Sequence, residues 1–175
     1  MLFSTHALTS RIDKIMAMGG NYLLNIGPKS DGSLSPTAME KFDRVGNWYL
    51  RVKEALEDAQ PCTELFQEQE DMLVTRKGNC LYLHFPTNPV YSGVVLNPIM
   101  TLPEEAILLN NQQPLTARIE RLPRGRKEAI LQLYGLPVDT LTGETYVIRL
   151  KFADLDAVIA EYKKVKEADG TAGNT

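Results

Sequence analysis

The residues of this chain that could do chemistry are dispersed carboxylates, two histidines and two cysteines. Asp13 belongs to the polar side of a first helix. Asp43, Glu54 and Glu57 belong to a second helix, and Glu64, Glu68, Glu70 and Asp71 to a polar stretch after it. All of these read as solvated faces, because surface helices expose their charges. Asp31 stands apart by position. It follows a short apolar run, on the side where α/β enzymes place their sites, although Asp31-Gly32 also reads as turn chemistry. Asn25, at the end of that run, could bind a ligand or brace a neighbouring loop. Bracing is the stronger reading, because a buried amide needs partners in any case. Lys29 could reach a pocket rim or lie solvated in its loop. His6 and His84 have no Asp, Glu or Cys companion at metal spacing, so no metal site is expected. Cys62 and Cys80 read as two free thiols. There is no G-x-S-x-G elbow, phosphate loop or dinucleotide fingerprint, and no cofactor is expected.

The elements that must position these groups change character along the chain. Leu8, Ile12, Ile15 and Met16 form one apolar stripe, which predicts a helix over 5–18 with Ser4 or Thr5 as its cap. Gly19 and Gly20 suit its C-terminal stop. Tyr22–Ile26 is nearly continuous apolar sequence, which predicts a strand covered on both faces, as in a parallel sheet. Ser35-Pro36 opens a second helix reaching about residue 57, with Met39, Phe42, Val45, Tyr49, Val52 and Leu56 as its stripe. Trp48, Tyr49 and Phe42 on its apolar side are assigned to barrel packing.

Beyond Pro61 the period switches from 3.6 to 2. Leu73–Arg76 and Cys80–Phe85 flank the turn Lys77-Gly78-Asn79. Further strands are predicted at 93–97, 105–109, 117–121, 128–134 and 145–152, with turn signals such as Pro123-Arg124-Gly125 between them, which suggests an antiparallel sandwich. A short amphipathic helix is predicted from Asp154, with a frayed end from Ala168. The fold class is therefore α+β: a helix-strand-helix unit, part of a (β/α)8 barrel, followed by an antiparallel β-sandwich. The expected division is 1–60 for the barrel unit, 61–71 for a linker, 72–152 for the sandwich and 153–175 for the tail helix.

The chain has 175 residues, 43% of them hydrophobic, enough for a core. Its net charge is −3, with no basic patch of the kind a nucleic-acid surface needs. No apolar run reaches the roughly 20 residues of a membrane span, and no signal peptide is seen at the N-terminus.

The segment Gly19-Gly20-Asn21-Tyr22-Leu23-Leu24-Asn25-Ile26-Gly27-Pro28, followed by Ser30-Asp31-Gly32 and then by a helix with Gly46 and Trp48, resembles the alpha-L-fucosidases of glycoside hydrolase family 29. In that family a similar segment is the last strand of the catalytic barrel. Val74–Tyr82 resembles the opening hairpin of the family's C-terminal sandwich, and Leu136-Pro137 and Tyr146–Leu150 its closing strands. The resemblance implies a retaining exo-glycosidase acting on terminal alpha-L-fucose with two carboxyl groups about 5 Å apart. It also implies that the nucleophile and the acid/base lie on earlier barrel strands that nothing here matches. No catalytic residue is assigned, and this chain alone is expected to be inactive. Asn25, Lys29 and Asp31 are the substrate-binding candidates. Expected partners are fucosylated glycans, through the parent enzyme, and either the missing barrel segment or a second copy. The parent enzyme is expected to be secreted or periplasmic. The alternative is a stand-alone carbohydrate-binding module, for which Tyr82 and Tyr91 are the stacking candidates if exposed, or a barrel-completing interaction module.

Overall fold

The computed structural model describes residues 3–121 and 129–172. The chain begins with helix α1 (Thr5–Ala17), whose Ser4 cap accepts the amide of Ala7 at 3.1 Å. It stops as its glycines require. Gly19 has φ +82°, its amide bonds Met16 O at 2.9 Å, and the amide of Gly20 bonds Ile15 O at 2.9 Å. This paired closure of the last turn needs a residue in the left-handed region, where a side chain is strained. Helix α2 (Pro36–Val52) begins with Ser35 as its cap and Pro36 in its first turn, and runs into a 3-10 turn at Lys53–Ala55.

Nine strands follow among the described residues: β1 (Gln60–Pro61), β2 (Leu73–Lys77), β3 (Cys80–Phe85), β4 (Gly93–Leu96), β5 (Glu105–Leu108), β6 (Gln113–Pro114), β7 (Thr116–Arg121), β8 (Ala129–Tyr134) and β9 (Tyr146–Lys151). They form two antiparallel sheets, β1-β2-β3-β9-β5-β6 and β4-β8-β7. Helix α3 (Leu155–Ala172) closes the described chain. The turn signal at Pro123-Arg124-Gly125 lies outside the described residues, as do the first residue of the predicted strand over 128–134 and the last three residues of the tail. Where the tail is described, through Ala172, it is helical rather than frayed.

Alternation explains the sheets. In β8, Ala129, Leu131 and Leu133 are buried and the residues between them are not, so one face meets the core and the other meets solvent. Strand β3 is buried almost throughout because it is covered on both faces. One face, with Leu81, Leu83 and Phe85, joins the core between the sheets, which also takes Leu155, Val158, Ile159 and Tyr162 of α3. The other face, with Tyr82, joins Leu8, Ile12, Val45, Trp48, Val52 and Val147 in a second cluster. The two N-terminal helices therefore fold back onto the six-stranded sheet. Trp48 is fully buried and its indole N–H donates to Thr145 O at 2.9 Å. Its packing partner is the sheet rather than barrel strands, which corrects the assignment made from helix periodicity. Met39, expected on the buried stripe, is exposed.

The largest departure from expectation is at Tyr22–Ile26. This segment forms no strand, and residues 20–29 belong to no helix or sheet. Tyr22 and Leu24 are partly buried against the helical cluster, while Leu23 is 83% exposed. One face is covered instead of two. No strand of the described chain lies beside the segment to complete a ladder, and an isolated extended segment has nothing to bond its edges.

Candidate functional site

The three substrate-binding candidates lie together in sequence but do not converge. Asn25, Lys29 and Asp31 are all exposed. The loop that carries Lys29 and Asp31 is self-contained: the amide of Lys29 bonds Ser33 O at 2.8 Å and that of Gly32 bonds Lys29 O at 2.9 Å. The Asp31 carboxylate accepts the Ser33 hydroxyl at 2.7 Å and the Ser33 amide at 2.9 Å. These two bonds hold its carboxyl below the usual carboxylate range. Asp31 thus performs the turn chemistry that its sequence context suggested. Among the described residues Asn25 makes no bracing hydrogen bond, because the segment it ends is not embedded in a sheet.

The convergent polar constellation is elsewhere, and its first member was read as solvated. Asp13 and His84 are fully buried, where α1 crosses β3. Asp13 Oδ1 lies 2.7 Å from His84 Nδ1, and His84 Nε2 lies 2.9 Å from Thr75 Oγ1. The Thr75 hydroxyl donates to Ala55 O at 2.8 Å, so its oxygen is left to accept from His84 Nε2–H. One further proton then sits between Nδ1 and the Asp13 carboxyl. Asp13 Oδ2 is buried without a partner among the described residues.

The order Asp-His-Thr has the connectivity of a nucleophilic relay. Its surroundings rule out that use. Thr75 is 1% exposed and its proton is committed to Ala55 O, so no substrate carbonyl or glycosidic carbon can approach it. The network instead joins α1, the 3-10 turn and β2–β3. A second junction lies beside it. The Thr145 amide donates to Thr9 Oγ1 at 3.2 Å, and Asn110 bonds both Thr145 O and the Val147 amide. The missing signal is distance along the chain: Asp13 and His84 are 71 residues apart, and only the fold brings them together. Among the described residues, no group of three or more His, Cys, Asp or Glu side chains could hold a metal ion. Cys62 and Cys80 are free thiols.

The helical end of the molecule and the sandwich beneath it resemble known proteins. Residues 2–54 match the family model described as alpha-L-fucosidase. Tissue alpha-L-fucosidase of Bos taurus is 32% identical over 111 residues, spanning 62% of this chain and 23% of that protein. The Homo sapiens protein is 32% identical over 112 residues, spanning 62% and 24%. The chain is related to the alpha-L-fucosidases. It spans about a quarter of the length of the curated relatives it matches. Its fold is also theirs in part. The alpha-L-fucosidase from Vibrio sp. strain EJY3 superposes with a TM-score of 0.67 at 22% identity, over 87% of this chain and 26% of that one. A family 29 enzyme from Bacteroides thetaiotaomicron gives 0.62 at 24% identity, over 86% and 33%.

Proposed function

We propose that this chain is the C-terminal part of an alpha-L-fucosidase that hydrolyses terminal alpha-L-fucosides with retention, and that by itself it is inactive. Residues 1–60 are then the closing unit of a catalytic barrel, 61–71 a linker and 72–152 its sandwich, with α3 as an addition. The observation that carries this reading is the orientation of the segment Tyr22–Ile26. It lies inside the region that matches the family, its inner side chains rest on the helical cluster, and Leu23 is 83% exposed with no strand of the described residues on either edge. A barrel stave without neighbours has this appearance. Retaining hydrolysis needs a nucleophile and an acid/base about 5–5.5 Å apart. The carboxylate nearest the barrel mouth in this reading, Asp31, is instead tied to Ser33. The partner is a polypeptide that supplies the remaining barrel strands and both reactive carboxyl groups, with fucosylated glycans as the substrate.

An aryl alpha-L-fucoside assay tests the reading. The purified 175-residue chain should release no aglycone above buffer. Mixed or co-expressed with an alpha-L-fucosidase barrel polypeptide cut before its own matching segment, it should copurify and restore turnover. Turnover by the chain alone, or no association with that barrel, overturns the proposal. A stand-alone carbohydrate-binding reading is favoured by one observation: of the two tyrosines considered for stacking, Tyr82 is buried but Tyr91 is 80% exposed.

A further inference from the structure

A groove of about 650 Å³ opens at an edge of the sandwich, where the core between its sheets comes to the surface, between the segment entering β2 and the segment joining β3 to β4. Its apolar lining includes Met72, Phe85 and Val94, each no more than 7% exposed. Glu70 and Asp71 lie on its first side, exposed and with no hydrogen bond or ion pair among the described residues. On the other side stand Tyr91, which is 80% exposed, and Asn88. The Asn88 carbonyl oxygen is buried without a partner, so the accessible end of its side chain is the NH2 donor.

We propose that this groove binds a neutral saccharide, with the Tyr91 ring against the C–H face of a pyranose and Glu70, Asp71 and Asn88 bonding its hydroxyls. Three features select that ligand. A bare aromatic ring next to apolar walls is matched by a surface with both C–H and O–H groups. Of the three carboxylates in the lining Glu68 is paired with Lys166, and the other two, Glu70 and Asp71, with no cation in the lining itself, repel anionic glycans. The combination of acceptors with an outward amide donor separates a sugar from a basic peptide. A hydroxyl both donates and accepts, whereas an ammonium or guanidinium only donates and leaves Asn88 unmatched. The site deepens the proposed role in fucoside hydrolysis, on which its biological use rests, by giving the sandwich its own hold on the glycan.

The test is a two-dimensional amide NMR titration of the intact chain with lactose, with a fucosylated lactose trisaccharide, with sialyllactose and with N-acetyl-lysine methyl ester, each at millimolar concentration. Saturable shifts should appear at Glu70, Asp71, Asn88 and Tyr91 with one or both neutral sugars, and not with the other two probes. Tyr91→Ala, a change at a solvated position, should weaken binding at least tenfold, while Tyr91→Phe keeps the ring and should stay within about twofold of the parent chain. The proposal is overturned by absent shifts, by shifts clustered away from the groove, by equal binding of Tyr91→Ala, or by a preference for the lysine ester or sialyllactose. Because the readout is binding to the chain alone, silence here leaves the aryl fucoside and barrel-association results standing, and failure of those leaves this titration interpretable.

Discussion

At the scale of single residues, the buried Asp13–His84–Thr75 network is the feature with the sharpest consequences. Both ionisable members are fully buried and 2.7 Å apart. Such a pair contributes little relative to well-packed apolar residues, but loss of one partner strands the other in a medium that solvates it poorly. Asp13→Ala should therefore cost about 3–5 kcal/mol in urea unfolding. Asp13→Leu combined with His84→Leu should cost clearly less than the sum of the two single changes, which a double-mutant cycle measures. Additivity would show that the contact is not coupled. Sequence reading placed Asp13 on a solvated face because it lies on the polar side of the predicted helix, and helical periodicity reports the direction of a side chain but not what waits there. His84 was correctly read as a strand residue among Leu81, Leu83 and Phe85, yet its partner was invisible from either end. Asp31 is the opposite case. Its turn chemistry is local, bonding only to Ser33, and so it was legible.

Among the elements, α3 shows how a helix can be anticipated while its role is not. Its apolar positions marked it as amphipathic, and the structure sets Leu155, Val158, Ile159 and Tyr162 into the core between the sheets. Tyr162 meets Phe66 edge to face, with centroids 5.3 Å apart, and its hydroxyl accepts the Phe66 amide at 2.8 Å. Cys62 belongs to the same cluster and is 1% exposed, and burial, reinforced by Glu64, pushes its thiol from 9.0 up to about 11. The folded state thus keeps a proton that the unfolded chain gives up. This contribution to stability is complete below 9.0 and is lost as pH rises toward about 11. In a Cys80→Ser background, Cys62 should react with a thiol reagent about a hundredfold more slowly at neutral pH than an ordinary cysteine, and Tyr162→Ala should restore much of that rate by loosening the helix. Rapid labelling of Cys62 in the Cys80→Ser chain would refute this account of how α3 is seated. Seven strands were legible because each runs four to six residues between turn signals, and β4, β5, β7 and β8 also alternate. Strands β1 and β6 were not, since two residues carry no period. Tyr22–Ile26 misled for a related reason: an apolar run shows appetite for burial but cannot reveal whether neighbours exist to satisfy it.

For the whole molecule, the arrangement is a sandwich covered on its larger sheet by two helices, with a partly apolar ridge left outward. Leu23, Met18 and Ile26 are exposed on or beside the segment that lacks strand partners. On the proposed reading this ridge is where the rest of the barrel docks. Leu23→Asp should abolish copurification with a barrel polypeptide while leaving the circular dichroism and thermal midpoint of the isolated chain nearly unchanged, because the residue touches little in the free molecule. Retained copurification would place the docking surface elsewhere. The architecture of the sandwich could be inferred from turn spacing, whereas the folding-back of the helices could not. That arrangement depends on Trp48 finding Thr145 and on Tyr82 and Val147 offering an apolar surface on the far side of the sheet.

The placement of β9 has a consequence for synthesis. Among the described strands β9 is the last in sequence, yet it lies between β3 and β5 in the middle of the six-stranded sheet. The N-terminal helices lean on what it brings: Thr9 is bonded by Thr145, 136 residues later, and Trp48 by the same residue, 97 later. During synthesis α1 and α2 emerge before β9 and lack their seat until that strand follows them. Throughout that interval their apolar sides are uncovered, making this the period when a nascent chain of this design most needs a chaperone.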